Sequence, residues 1–126
     1  MSDVRVLYIE DNPENRLLVR RVLEAEGYSV LEAQDGLSGL EVALQTRPDL
    51  ILLDICLPEV DGYDLARRFR NTPDLQHVPI LAITANVMKG DRERTLAAGC
   101  DGYIQKPIDI DRLPEQVRAV LERTST

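Results

Sequence analysis

The sequence predicts an α/β domain of five parallel strands, each followed by a helix, in a doubly wound (βα)5 sandwich. Three observations predict it. Five short apolar runs rich in Val, Ile and Leu recur along the 126 residues. Segments with helical spacing of apolar residues separate them. Several runs are apolar throughout rather than alternating, the pattern of strands covered on both faces. Strands alternating with helices at this spacing read as βαβ units around a parallel sheet. Right-handed crossovers with one topological reversal make 2-1-3-4-5 the expected strand order.

The elements follow in turn. Val4 to Ile9 is the first strand, and Leu17, Leu18, Val22 and Leu23 mark a helix that ends at Glu26-Gly27. Tyr28 to Ala33 is the second strand. Asp35 then offers an N-cap for a helix marked by Leu37, Leu40, Val42, Ala43 and Leu44. Arg47-Pro48-Asp49 leads into the third strand, Leu50 to Leu53, and the Asp61-Gly62 turn precedes a helix over Tyr63 to Arg70, marked by Leu65, Ala66 and Phe69. His77-Val78-Pro79 leads into the fourth strand, Ile80 to Thr84. The fourth helix runs from Arg92 to Ala98, with Gly99 in the left-handed stop position. Gly102 to Gln105 is the fifth strand. Leu113 to Leu121 is the fifth helix, with Val117, Val120 and Leu121 on one face. One domain over residues 1–126 is expected, with a core about 4–122, a polar tail 123–126 and no linker. Met1 and the short tail favour a stand-alone protein over a piece of something larger.

Apolar content of 44% and charged content of 29% are ordinary for a globular protein. The net charge of −7 disfavours nucleic acid or an anionic membrane as a direct partner. The cluster Arg67, Arg68 and Arg70 reads as a solvated helix face. Cys56 and Cys100 are too few and too scattered for a disulfide framework or a zinc site, and as buried reduced thiols they suit a reducing compartment. There is no signal pattern at the N-terminus, and no apolar run approaches the roughly 20 residues of a membrane span. A cytoplasmic location is expected.

Chemistry concentrates where the runs end. The strings are LYIED (Leu7 to Asp11), LILLD (Leu50 to Asp54) and YIQKP (Tyr103 to Pro107). A carboxylate after a buried parallel strand lies at the carboxyl edge of the sheet, where open α/β folds bind ligands. With strands one and three adjacent, Glu10 and Asp11 come beside Asp54. Three converging carboxylates repel one another unless a cation sits among them. That points to a divalent metal, with Lys106 as a fixed countercharge. Magnesium prefers octahedral oxygen ligation and usually takes one or two carboxylates. Asp11 and Asp54 can bind directly, and Glu10 through water. Asp54 is the natural nucleophile toward a phosphoryl donor, forming an acyl phosphate, and such transfer needs charge neutralisation above all. Lys106 can pair with the phosphoryl group or with Asp54, and the Thr84 hydroxyl can bond a phosphoryl oxygen. Singly, each has a plainer role: Asp11, before Asn12-Pro13, could merely cap the next helix. Together at the strand ends of one fold they make a site.

These residues carry a resemblance. Glu10-Asp11, Asp54 followed by Leu57-Pro58 and Asp61-Gly62, Thr84-Ala85 and Lys106-Pro107 resemble a receiver domain of two-component response regulators, over essentially the whole chain. The stretch Ala82 to Ile108 is similar to stand-alone receivers of the DivK kind and to receivers of hybrid histidine kinases. The resemblance implies a flavodoxin-like fold and a phosphoryl group accepted by Asp54 from a histidine kinase or histidine phosphotransfer protein. It implies Mg2+ held by Asp11, Asp54 and the backbone carbonyl of Cys56. It implies a switch pair, Thr84 and Tyr103, and a cis bond before Pro107. Output then runs through a downstream protein partner, and any homodimer uses the face of helix four, strand five and helix five. Cys56 and Asn86 stand where the family tunes the phosphoryl lifetime. A moderately long-lived phosphoryl state is expected, and an autodephosphorylation half-life of a few seconds would sink that expectation.

Other classes fit less well. An aspartyl-nucleophile phosphatase needs a second acid two residues after the nucleophile and a substrate-enclosing cap; Cys56 stands there and no insertion builds a cap. A pseudo-receiver that only binds a partner usually lacks an acid or the lysine, and all are here. Neither a Rossmann fingerprint nor a P-loop follows strand one, where Asp11-Asn12-Pro13-Glu14 stands instead. The phosphoacceptor is therefore expected not to be a turnover enzyme. His77 reads as a solvated loop residue, Tyr8 as core, Tyr63 as the start of a helix, and the run Lys89 to Arg94 as a solvated face or a partner surface.

Overall fold

Each apolar run becomes a parallel strand: β1 (Arg5–Ile9), β2 (Ser29–Ala33), β3 (Leu50–Asp54), β4 (Ile80–Thr84) and β5 (Gly102–Gln105). The computed structural model describes residues 4–55, 57, 61–85 and 91–124. The sheet order is β2-β1-β3-β4-β5, with every neighbouring pair parallel, the flavodoxin-like arrangement. The helices are α1 (Pro13–Ala25), α2 (Gly36–Thr46), α3 (Gly62–Arg70), α4 (Asp91–Ala97) and α5 (Leu113–Thr124), with a 3-10 turn at Pro73–Leu75. The fifth helix therefore takes in the start of the anticipated polar tail.

The pleat divides the strand side chains between two cores. Leu7, Ile9, Ile51, Leu53, Ile80 and Ala82 pack with residues of α2 and α3. Val6, Tyr8, Leu50, Leu52, Leu81, Ile83 and Ile104 pack with Val19 and Leu23 of α1 and Leu113, Val117 and Val120 of α5. Because β3 and β4 are central, their apolar residues are covered on both sides, which is why those runs do not alternate.

Two helices present different faces from those their hydropathy suggests. In α1, Val19 and Leu23 are buried while Leu17 and Leu18 are exposed. In α2, the buried residues are Gly36, Gly39 and Ala43, whereas Leu37 and Leu44 are exposed. The cause lies in spacing: a Cβ on Gly39 would come within 2.5 Å of Cδ1 of Ile9. So α2 lies too close to β1 for a larger side chain at position 39, while Leu40 and Val42 pack half-buried against the core. Strand limits also tighten, with Val4 and Tyr28 just outside β1 and β2.

Local chemistry sets the ends. Asp35 caps α2 by accepting from the Ser38 N–H at 2.8 Å, as expected. Gly99 takes a left-handed φ of +96° after α4. Arg70 closes the far end of the sheet: its guanidinium donates to the carbonyls of Gly99 (2.7 Å), Gln76 (2.9 Å) and Val78 (2.6 Å) and to the Asp101 carboxylate. It is thus a structural staple, not the solvated arginine anticipated. Of the charged run Lys89 to Arg94, Lys89 and Gly90 lie outside the described residues. The Arg94 guanidinium sits 4.4 Å from the Tyr63 ring centroid, tying α4 to α3.

Candidate functional site

Strand parity places the site. Tyr8 faces α1 and α5, so Glu10, two residues on, leaves the sheet on the same side. Leu50 and Leu52 face that side, and so therefore does Asp54; Ile104 does too, followed two residues later by Lys106. Register levels these ends. Ile9 pairs with Leu53, which puts Glu10 and Asp54 at one height.

The result is a compact charged cluster. One oxygen each from Glu10, Asp11 and Asp54 lies within 4.8 Å of the others. Glu10 and Asp54 are each only 1% exposed, while Asp11 is exposed at the rim. Lys106 Nζ donates to Oδ2 of Asp54 at 2.8 Å and lies 3.5 Å from Oε1 of Glu10. Burial pushes the Glu10 carboxyl up to about 7, helped by hydrogen bonds with Asp54 and Asp11 and by the charge of Asp54, with Lys106 opposing. Three acids around one lysine leave negative charge in excess, so the cluster is suited to gain a cation. Its donors are all oxygens, which fits a hard divalent ion such as Mg2+ rather than zinc.

The structure brings Glu10, Asp11, Asp54 and Lys106 together, as expected. Thr84 ends β4, is buried, and follows Ala82 on the face turned to α3. Tyr103 is half-buried against that core and pairs with Ala82 in the β4–β5 register. Cys56 and Asn86 lie outside the described residues. The Lys106-Pro107 bond is cis. Asp11 does not cap α1. Asn12 does, its Oδ1 accepting from the N–H groups of Glu14 (2.8 Å) and Asn15 (3.1 Å).

Sequence reasoning missed the polar shell around Glu10. Its Oε1 accepts from the Tyr8 hydroxyl at 3.1 Å and from Asn15 Nδ2 at 3.3 Å, and its Oε2 from the Asn12 N–H at 3.4 Å. Burial and the neighbouring Glu10 carboxylate push the Tyr8 phenol far upward, so it stays a donor. Tyr8 is core, as expected, but its hydroxyl serves the site. The available signal was parity, since Tyr8 lies two residues before Glu10. Beside the cluster runs a groove of about 460 Å³, lined by Asn15, Leu18, Val19, Ala85, Lys106, Pro107 and Ile108. His77 is exposed and precedes β4, at the opposite end of that strand from Thr84. Among the described residues, no helix is long and apolar enough to cross a membrane.

Comparison with known proteins agrees with this geometry. Residues 6–118 match the sequence profile of the response regulator receiver domain. The polar-differentiation response regulator DivK of Brucella anthropi is 43% identical over 116 residues, 92% of this chain and 94% of its own length. Among solved structures, the receiver domain of the Pseudomonas aeruginosa sensor histidine kinase PA1611 is 36% identical, with a TM-score of 0.86 over 96% of this chain and 99% of that one. It carries a magnesium ion coordinated in its active-site cleft. The chemotaxis protein CheY4 of Vibrio cholerae, at 27% identity, superposes with a TM-score of 0.90 over 94% of this chain and 99% of that one.

Proposed function

The chain belongs to the receiver domains of two-component response regulators, and on that premise we propose that Asp54 is its phosphoacceptor. The observation that carries this reading is the Asp54 carboxylate at 2.8 Å from Lys106 Nζ, inside the cluster it shares with Glu10 and Asp11. A receiver implies a histidine kinase as donor, directly or through a histidine phosphotransfer protein. An Asp54 oxygen forms the new P–O bond as the P–N bond of the phosphohistidine breaks, its electron pair returning to the imidazole nitrogen.

Asp11, Asp54 and the Cys56 carbonyl would hold Mg2+, with Glu10 reaching it through water. Bound there, the ion would neutralise charge on the phosphoryl oxygens. Lys106, already paired with Asp54, follows the phosphoryl group once it is attached. The Thr84 hydroxyl donates to a phosphoryl oxygen, and Tyr103, on the same face of the sheet, turns inward with it. Phosphorylation replaces the single carboxylate charge of Asp54 with roughly two on the phosphoryl oxygens, and adds new acceptor oxygens at the sheet edge. That is enough to bias a two-state surface around α4, β5 and α5. Output then passes by contact with a downstream protein or a second copy through that face. The whole chain acts in the cytoplasm as one receiver domain, a phosphoacceptor rather than a turnover enzyme.

The test uses Mg2+ with acetyl phosphate or beryllofluoride. With acetyl phosphate wild type should gain one phosphoryl group by mass, with either reagent it should show metal-dependent spectral shifts, and Asp54→Asn should do neither. Absence of any metal-dependent change in wild type would overturn the reading.

A further inference from the structure

Glu10 and Asp11 are consecutive, and consecutive residues of a strand point to opposite faces. Their carboxylates nevertheless share one cluster with Asp54. The chain must therefore leave the strand conformation between them, and β1 does end at Ile9. The Glu10 N–H still belongs to the sheet, donating to the Ala33 carbonyl at 3.0 Å. The Glu10 carbonyl, in the peptide that joins the two acids, has left the ladder. A backbone carbonyl beside a buried side chain needs a donor. Arg16 supplies it: Nη1 donates to the Glu10 oxygen at 2.6 Å. The Arg16 Nε in turn lies 3.5 Å from the Glu32 carboxylate on β2, and Arg20 braces Glu32 at 2.8 Å from the next turn of α1. The Arg16 side chain is only 17% exposed.

From this geometry we propose that Arg16 is a positioning residue for the cation site, holding the Glu10–Asp11 peptide in the turn that aims Asp11 at Glu10 and Asp54. The inference rests on the reading of that cluster as a divalent metal site. It makes a prediction whose sign is opposite to simple electrostatics. A guanidinium acting only through its charge would repel an incoming cation, so its removal would tighten binding. A guanidinium acting through position would loosen binding when lost, because Asp11 would be released from its aim.

The probe is Mg2+ alone, titrated into wild type, Arg16→Met and Arg16→Lys and followed through the Asp11 amide resonance. Wild type should bind, and Arg16→Met should bind about tenfold more weakly, the scale of lost outer-sphere support. Arg16→Lys keeps the charge but lacks the fork that reaches both Glu10 and Glu32, and it should also lose affinity. In the metal-free protein the Asp11 amide should already be shifted in both variants. Affinity in Arg16→Met that is tighter than wild type, or within twofold of it, would overturn the proposal; if Arg16→Met does not fold, Arg16→Lys is held to the same criterion. A wild type that binds no Mg2+ would instead overturn the metal reading itself.

Discussion

Stripped of divalent metal, this protein should lose stability as the pH rises from about 5 to about 8. The perturbation is chelation with EDTA, and the group responsible is Glu10. In the unfolded chain its carboxyl has the ordinary value of 4.5, whereas in the fold it is pushed up to about 7. Between those values the folded state keeps a proton that the unfolded state has lost. Protons therefore favour folding across this window, and their removal costs stability. At about 1.4 kcal/mol per tenfold change, the interval amounts to about 3 kcal/mol. The Glu10 side chain is 1% exposed, so solvent screening takes little from that figure. In a chain of this size the loss lowers Tm by on the order of 10 °C. Asp35 acts in the other direction: the Ser38 N–H holds its carboxyl below the usual range, so its contribution is lost only in more acidic solution, outside the window. The assay is urea unfolding by circular dichroism at several pH values, with Glu10→Gln as the comparison. The amide keeps an oxygen for Tyr8 and Asn15 but cannot ionise, so the variant should hold its stability across the window. Wild-type stability that stays level or rises with pH, or an equal slope in Glu10→Gln, would refute the reasoning. Excess Mg2+ should oppose the slope, because its ligands bind it ionised.

Two further perturbations probe the scaffold. Arg70→Met should cost about 2–4 kcal/mol in urea unfolding, since it takes the donor from three backbone carbonyls and leaves Asp101 without its partner arginine; a loss under half a kcal/mol would show that water replaces it. Gly62→Ala should cost about 1–3 kcal/mol, because the new Cβ would meet the Ile55 backbone at 2.5 Å. It should also slow Asp54 phosphorylation, as Ile55 follows the acceptor, and an unchanged rate would separate that turn from the site.

Most of the fold was legible because a buried parallel strand leaves a simple trace, an apolar run that stops where the sheet stops. Glu10, Asp54 and Lys106 could be placed for the same reason: each follows such a run, and strand order then brings them together. Helix faces were harder to read. Of the α2 residues marked by hydropathy, Leu40, Val42 and Ala43 pack against the core, but Leu37 and Leu44 are exposed and Gly39 makes the closest approach to the sheet. In α1 the same logic picked Leu17 and Leu18 over Val19. The shell of Tyr8, Asn12, Asn15 and Arg16 was missed for a different reason. Its members act through hydrogen bonds made in three dimensions, and none looks like a ligand in one. The plainer alternative for Asp11, a helix cap, is excluded because the adjacent Asn12 does that work.

Strand parity also limits how this sequence can vary. Glu10, Asp54 and Lys106 share the side of α1 and α5, while Thr84 and Tyr103 share the opposite side. Substitutions leave that division intact whatever residue they introduce. A single inserted or deleted residue within β3 or β5 would not: it would carry the terminal carboxylate or lysine through to the other face while the apolar run still looked like a strand. Lineages of this protein should therefore diverge freely in side chains and loop lengths yet keep every strand's residue count fixed. The geometry of the sheet thus constrains length as well as identity.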